Sequence, residues 1–212
     1  MTTWIMIAAL TLSSSLDNLG VGLSYGIRGI RIQIRANAFI ALICFLFSIC
    51  GIYFGMWVSD ILPGILPIIL SAIILVLFGI RMILLSVPRG ASPADEPAEV
   101  LISGKLQRVM NDPTAADFDR SKSIGLGEAA FLGIALSANA LTNGVGAGLL
   151  GLSPVLISLL AAAGSFITVW IGVSFGMKLA HIRLGKWTIG QSGTVISGAF
   201  LVLIAVSLFL EG

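Results

Sequence analysis

The segment from Ser15 to Gly26 reads SLDNLGVGLSYG and sets one carboxylate, Asp17, inside an apolar run long enough to cross a membrane. An ionisable side chain at membrane depth costs roughly 3 kcal/mol or more, so its presence indicates a functional site. The segment recurs 122 residues later, from Ser137, as SANALTNGVGAG, with Asn139 at the position of Asp17. Many transporters place such a repeated polar group near the bilayer midplane. The pattern therefore predicts a small membrane transporter.

The composition of the 212-residue chain predicts an integral membrane protein. Hydrophobic residues make up 57% and charged residues 10%, against about 25% charged in soluble domains, and the mean hydropathy is +1.06. The net charge of +2 gives no reason to expect a nucleic-acid partner. The sequence contains no nucleophile–base pair, phosphate-binding loop or cysteine cluster, so it predicts neither an enzyme nor an organic cofactor. We expect Cys44 and Cys50 to be small apolar side chains, buried in lipid or in protein, rather than a disulfide.

Six apolar runs reach membrane-spanning length. Four connections between them are short, and the remaining one, Pro88–Gly125, carries half of the charged residues. The sequence therefore predicts an all-α integral membrane fold with two three-helix halves, residues 1–87 and 126–212, joined by a charged loop, residues 88–125. No basic segment precedes the first run, so we expect a retained helix rather than a removed signal peptide. The predicted spans are Thr3–Ile27, Ala36–Val58, Ile65–Val87, Leu126–Leu150, Val155–Leu179 and Ile189–Leu210.

Lys and Arg are distributed unevenly between the loops, and this asymmetry predicts the orientation. The first loop carries Arg28, Arg31 and Arg35, whereas the second has only Asp60 and the fourth has no charge. The fifth loop is basic, and the long middle loop holds five basic residues. We expect a multi-pass plasma-membrane protein with the middle loop in the cytoplasm and both termini outside. Because each half has three spans, the halves then have opposite orientations, as inverted repeats.

Two further pairs of segments support the repeat. GIYFGM from Gly51 resembles GVSFGM from Gly172, and SAIILVL from Ser71 resembles SGAFLVL from Ser197. The first, second, fourth and fifth spans each have a Gly-x-x-x-Gly pair, which lets two helices approach closely in lipid. We expect these eight glycines to act in helix packing: Gly22 and Gly26, Gly51 and Gly55, Gly144 and Gly148, and Gly172 and Gly176.

Polar side chains gather on one face of the first span and one face of the fourth. Packed together, these faces would offer one carboxylate with amide and hydroxyl oxygens, hard ligands suited to Mn²⁺, Mg²⁺ or Ca²⁺. We expect no His or Cys at that level, which argues against a soft metal. The alternative is that Asp17 only hydrogen-bonds to polar neighbours and holds the helices together. The predicted intramembrane metal ligands are Asp17, Asn18, Ser137, Asn139, Thr142 and Asn143.

SLDNLGVG, its second copy and the Gly-x-x-Phe-Gly-Met segments together resemble the YtaF group of sporulation membrane proteins. That group is similar in turn to the MntP manganese efflux pumps, small six-helix proteins of inverted-repeat type, and the resemblance covers essentially the whole chain. It implies a metal path formed by one acid in the first span and another in the fourth. Asp17 matches the first acid, but Asn139 stands at the second position, which leaves fewer groups for proton exchange.

The stretch from Asp117 to Glu128 has the ligand spacing of an EF-hand calcium loop. Position 6 should be Gly, which permits the sharp turn. Here it is Lys122, which is strained at positive φ and adds a positive charge beside the ion. The alternative is a solvated acidic loop in which Glu128 favours the start of the next helix through the helix dipole. The residues at positions 1, 3, 5, 7 and 12 are Asp117, Asp119, Ser121, Ser123 and Glu128.

Two classes of function follow from these features. The first is a divalent-cation transporter that exports Mn²⁺ or a similar ion, with Asp17 as ligand and with the lipid bilayer and the cation as partners. The second is a non-transporting sporulation membrane protein with a regulatory, Ca²⁺-binding-like cytoplasmic loop. Asp17 and the repeat favour the first class, whereas Asn139 favours the second. The transported ion, the coupling ion and a homodimeric state stay open.

Overall fold

The computed structural model describes residues 3–86, 106, 109 and 113–179. Its helices are α1 (Thr3–Ile27), α2 (Ile34–Ile61), α3 (Leu66–Ser86), α4 (Leu126–Leu149) and α5 (Pro154–Leu179). They confirm the first five predicted helices to within a few residues, and α1 has the predicted ends. Within the described ranges, α1, α2, α4 and α5 are long and apolar enough to cross a membrane. The sixth predicted span, Ile189–Leu210, lies outside the described residues.

Two apolar clusters at opposite ends of the bundle give the directions of the helices. The Ile7 cluster joins Ile7 near the start of α1 to Ala147 near the end of α4 and Ile157 near the start of α5. The Tyr25 cluster joins Tyr25 near the end of α1 to Leu132 near the start of α4. The first half of α2 joins the Tyr25 cluster and its second half joins the Ile7 cluster. Therefore α1 and α5 run in one direction, and α2 and α4 run in the other.

Close backbone contacts between glycine pairs hold the four long helices together. A Cβ atom added at any of these glycines would collide with backbone atoms of the facing helix. In lipid, where apolar surface gives little driving force between helices, such close approach is a main source of packing energy. The facing pairs are Gly22 and Gly26 of α1 with Gly172 and Gly176 of α5, and Gly51 and Gly55 of α2 with Gly144 and Gly148 of α4.

A short parallel ladder, which the sequence pattern does not predict, ties the middle loop to the first loop. Strand β1 (Arg31–Ile32) pairs with β2 (Ser123–Ile124), and the Arg31 N–H donates to the Lys122 carbonyl over 2.9 Å. Ile124 is fully buried in the Tyr25 cluster. A 3₁₀ turn at Pro113–Ala116 precedes the ladder. The end of the middle loop is thus packed against the end of the bundle where α1 finishes and α4 begins.

Buried polar side chains lie between the two apolar clusters, and together they form the polar layer. In each long helix these residues follow the members of one cluster and precede those of the other along the chain. The arrangement places hydroxyl, amide and carboxylate groups in the interior, closed by apolar side chains at both ends. Its buried members are Ser13, Ser14, Ser15 and Asn18 of α1, Ser48 of α2, Ser137, Asn139 and Asn143 of α4, and Ser158 and Ser165 of α5, together with the partly buried Asp17 of α1.

We expect Gly148→Ala to destabilise the bundle and Gly127→Ala to leave it unchanged, although both glycines lie in α4. An added Cβ at Gly148 would collide with the α2 backbone, whereas no described atom lies within 4 Å of the one added at Gly127. Overpacking costs about 1–3 kcal/mol, so the melting temperature of the Gly148 variant in detergent should fall by about 2–12 °C. Equal melting temperatures for the two variants would mean that the close approach of α2 and α4 does not stabilise the fold.

Candidate cation site

Asp17 of α1 and Asn139 of α4 meet where these antiparallel helices pass each other in the polar layer. The amide Nδ2 of Asn139 donates to the carboxylate Oδ2 of Asp17 over 3.4 Å. Asn139 is 5% exposed and Asp17 is partly buried. The structure therefore brings together the two residues that occupy the same position in the two copies of the sequence repeat.

Several amide atoms of the polar layer are buried without a hydrogen bond. Oδ1 of Asn139, Oδ1 of Asn18 and both amide atoms of Asn143 have no partner among the described residues. A buried polar atom left unpaired costs about 1–3 kcal/mol, and native structures contain few of them. Amide oxygens in the same layer as a carboxylate form a set of hard donors, the ligand chemistry of Mn²⁺, Mg²⁺ and Ca²⁺. The layer can therefore accept a cation without breaking hydrogen bonds to these oxygens.

The hydroxyls of two predicted ligands donate hydrogen bonds to groups other than Asp17 and Asn139. Thr142 Oγ1 donates to the carbonyl of Ala138 over 3.1 Å, so this hydroxyl is used within its own helix. Ser137 Oγ donates to Sγ of Cys44 in α2 over 3.2 Å. Neither hydrogen bond joins α1 to α4. A hydroxyl that donates its hydrogen keeps oxygen lone pairs that can bind a cation, so Ser137 and Thr142 stay predicted ligands.

Cys44 lies at the level of the polar layer, which differs from the expectation that no cysteine shares that level. Besides the bond from Ser137, its Sγ lies 3.5 Å from the Ser165 hydroxyl of α5. Cys44 is buried and Cys50 is exposed, and both are free thiols. The two hydroxyls give the buried Cys44 thiol polar partners, and the Asn139 amide contacts Asp17.

The contributions of α2 and α5 to the polar layer are the part that the sequence pattern does not predict. Ser48 and Ser165 lie inside apolar runs, where a lipid-facing hydroxyl would look the same. One signal could have found Ser165: it is 121 residues from Cys44, which is the offset between GIYFGM and GVSFGM. The bundle thus contains two contacts between corresponding positions of the repeat, Asp17 with Asn139 and Cys44 with Ser165.

The acidic loop from Asp117 to Glu128 brings its three carboxylates together. Oxygen atoms of Asp117, Asp119 and Glu128 all lie within 4.8 Å of one another. The Ser121 N–H donates to both aspartates, over 3.0 Å to Asp117 Oδ1 and 2.9 Å to Asp119 Oδ1. Hydrogen bonds from the hydroxyl and the backbone N–H of Ser121 lower the pKa of the Asp119 carboxyl, so it stays ionised in mildly acidic solution. Lys122 has a φ of 60°, the left-handed conformation that the EF-hand spacing requires at this position.

Glu128 has the helix-start role that the sequence offered as an alternative. Its Oε2 accepts a hydrogen bond from the Gly125 N–H over 3.0 Å, which caps α4. Its Oε1 accepts from the Phe118 N–H over 2.7 Å, so the carboxylate also joins the two ends of the loop. The Phe118 ring packs edge-on against Phe131 of α4, with centroids 5.5 Å apart. The capping role is therefore confirmed, and Ca²⁺ binding by the loop stays a prediction.

Two comparisons with known proteins found a match for this chain. The family model described as “Putative manganese efflux pump” (Mntp) matches residues 1–83, which include Asp17. The chain is also 29% identical to the “Probable sporulation protein YtaF” of Bacillus subtilis (strain 168), over 95% of this chain and 97% of that protein. The resemblance predicted from the sequence is confirmed. No solved structure matches the chain.

The two matches cover different parts of the chain. The family model covers α1, α2 and most of α3, whereas α4 with Asn139 falls only within the similarity to the YtaF protein. Together with four helices of membrane-spanning length, the matches support a location in the membrane. The family-model match therefore leaves out the part of the chain in which Asn139 stands in place of a second acid.

We expect the acidic loop to bind Ca²⁺ weakly and Lys122→Gly to tighten the binding. The substitution relieves the strain of a left-handed backbone at a residue with a side chain, about 1 kcal/mol. It also removes a positive charge beside the carboxylates. It should therefore lower the Kd by roughly fivefold or more. Calorimetry on the purified protein in detergent, with Mg²⁺ as competitor, measures the change.

Two further variants separate the causes of this effect. Lys122→Gln removes the charge but keeps a side chain at positive φ, so we expect it to tighten binding less than Lys122→Gly. Asp117→Ala combined with Glu128→Ala should abolish binding, because it removes the first ligand and the bidentate one. Absence of Ca²⁺ heat in the wild type and in Lys122→Gly would show that the ligand spacing is coincidental.

Proposed function

We propose that the protein is a membrane transporter of a divalent cation such as Mn²⁺, with Asp17 as its intramembrane ligand. The observation that carries the proposal is the contact between Asp17 and Asn139 in a layer of buried amide oxygens, three of them unpaired within the described ranges. The match of residues 1–83 to a family model whose description names manganese efflux supports the choice of ion.

A cation at this position would bridge oxygen atoms of α1 and α4. Asn139 turns its Nδ2 toward Asp17, and a half-turn of the amide would present Oδ1 to the ion instead. Because Oδ1 has no partner in the described part of the chain, the rotation gives up only the long bond to Asp17. One carboxylate leaves a divalent ion with a net charge of +1, so we expect weaker binding than between two acids, which favours release.

We also propose that residues 1–87 and 126–212 are inverted repeats joined by a cytoplasmic loop, residues 88–125. The matched helices α1 and α4 run antiparallel, and so do α2 and α5. The contacts of Asp17 with Asn139 and of Cys44 with Ser165 join corresponding positions, as expected near a pseudo-twofold axis. Rocking of the halves about that axis would open the polar layer to either side in turn. The Ile7 and Tyr25 clusters would be the two closures.

The contact between Asp17 and Asn139 also weakens the case for a non-transporting protein. Its basis was the amide at position 139, but Asn139 contacts Asp17 and keeps an unpaired carbonyl oxygen within the described structure. An amide oxygen is itself a ligand for hard cations, so the residue is compatible with a cation path. A role in sporulation is said of the Bacillus subtilis relative, and we propose it for this chain on that similarity alone.

We expect Asp17→Asn to lower Mn²⁺ flux by about tenfold or more, because it removes the charge that attracts the ion. Asp60→Asn makes the same substitution at an exposed aspartate near the end of α2 and should leave flux unchanged. Flux is measured on purified protein in liposomes that enclose a Mn²⁺-sensitive dye. Wild-type flux in Asp17→Asn would refute the assignment of the ligand.

Asn139→Asp should tighten Mn²⁺ binding several-fold, because a second carboxylate adds charge to the site. The binding is measured from the free Mn²⁺ signal in electron paramagnetic resonance of the detergent-solubilised protein. Asn143→Asp adds the same charge one helical turn away and is expected to tighten binding less. If both aspartate variants bind Mn²⁺ like the wild type, Asn139 does not face the cation.

The inverted arrangement is tested by labelling single cysteines in whole cells, in a background without Cys44 and Cys50. We expect Asp60→Cys and Gly212→Cys to react with a membrane-impermeant maleimide from outside, and Arg120→Cys to react only after the cells are opened. Asp60 and Arg120 are both exposed, so access to the side chain does not limit either reaction. Labelling of Gly212→Cys and Arg120→Cys from the same side would rule out three spans per half.

A further inference from the structure

A small cavity lies in the interior of the bundle, one helical turn from the Asp17–Asn139 pair. Along α1 it is displaced from the pair toward the start of the helix, and along α4 toward the end, so it lies on the side of the Ile7 cluster. One turn corresponds to about 5 Å along each helix axis. Its polar walls are Thr11 and Ser14 of α1, Ser48 of α2 and Asn143 of α4.

The cavity has room for one small occupant and offers it unpaired polar atoms. Its volume is about 10 Å³ for the centre of a water-sized sphere, which admits about one water molecule or one dehydrated ion. Thr11 Oγ1 and both amide atoms of Asn143 are buried, and none of the three has a hydrogen-bond partner among the residues described. Asn143 is 6% exposed. Each unpaired atom costs about 1–3 kcal/mol, a cost that an occupant would remove.

We propose that this cavity is a second position for the transported cation, separate from the Asp17–Asn139 position and reached on the way to the Ile7 cluster. The inference rests on the proposed transport function. The ligands there are neutral oxygens, the Thr11 hydroxyl and the Asn143 carbonyl first among them. An ion moves between the two positions by exchanging the Asp17 carboxylate for these oxygens over one helical turn.

The chemistry of the two positions suits stepwise release. The charged position holds the ion more strongly, whereas the neutral one holds it weakly, so an ion in the cavity leaves once the adjoining apolar residues separate. Leu10 and Ile157 line the other side of the cavity and belong to the Ile7 cluster. The second position therefore adjoins one of the two closures directly.

The test compares variants that remove the cavity oxygens with a matched variant elsewhere in the bundle. Thr11→Val and Asn143→Leu replace polar side chains with apolar ones of similar size. Thr168→Val makes the same change at a hydroxyl of α5 that donates to the Gly164 carbonyl over 2.6 Å and does not line the cavity. Purified full-length protein is assayed twice with Mn²⁺: for equilibrium binding in detergent, and for flux in liposomes.

We expect Thr11→Val and Asn143→Leu to lower flux by about tenfold or more, because each removes an oxygen ligand of the neutral position. Their Mn²⁺ Kd should stay within about twofold of the wild type, because the Asp17–Asn139 position is intact. Thr168→Val should change neither quantity. This split between flux and binding is not expected of a merely misfolded variant, which loses both.

Three outcomes would overturn the inference. Near-wild-type flux in both cavity variants, with Asp17→Asn inactive, would mean that the cavity holds only water while the transport function stands. A loss of Mn²⁺ affinity in Asn143→Leu equal to that in Asp17→Asn would mean that the two positions are one site. Absence of Mn²⁺ binding and flux in the wild type would remove the proposed function and the second position together.

Discussion

Burial of the Asp17 carboxylate between helices imposes the constraint on which the rest of the bundle depends. A charge in a low-dielectric interior must be surrounded by polar groups, and α4 supplies one through Asn139. The buried serines and asparagines of the polar layer supply further dipoles. The helices that carry these groups are held in two pairs by the glycine contacts, α1 with α5 and α2 with α4.

An amide opposite the carboxylate gives this layer electrostatic properties that differ from those of a two-acid site. Two carboxylates at this distance would repel each other unless one held a proton. Asn139 instead donates a hydrogen bond to Asp17 and cannot release a proton. The contact therefore has one acidic group where a two-acid site has two. Under the proposed function, this difference favours weak binding of a divalent cation and weakens any coupling to protons.

The sequence predicts the parts of this structure that depend on periodicity and repetition. Continuous apolar runs locate the helices, and the shared position of Asp17 and Asn139 in the two segments predicts their meeting. The sequence does not predict the β1–β2 ladder, because a strand of two residues is too short to show an alternating hydrophobic pattern. Thr142 shows a second limit, since a helical threonine can satisfy its hydroxyl on its own backbone. Ser48 and Ser165 show a third, because a lone hydroxyl in an apolar helix gives no sign of its direction.

Anomalous diffraction from crystals grown with Mn²⁺ shows whether a cation occupies the space between Asp17 and Asn139. We expect a Mn²⁺ peak in the polar layer, about 2.0–2.6 Å from a carboxylate oxygen of Asp17, with the Asn139 amide turned to present Oδ1. The same data from Asp17→Asn crystals should lack that peak. A bundle that contains no Mn²⁺ in the polar layer, with the Asn139 Nδ2 still bonded to Asp17 at saturating Mn²⁺, would contradict the account.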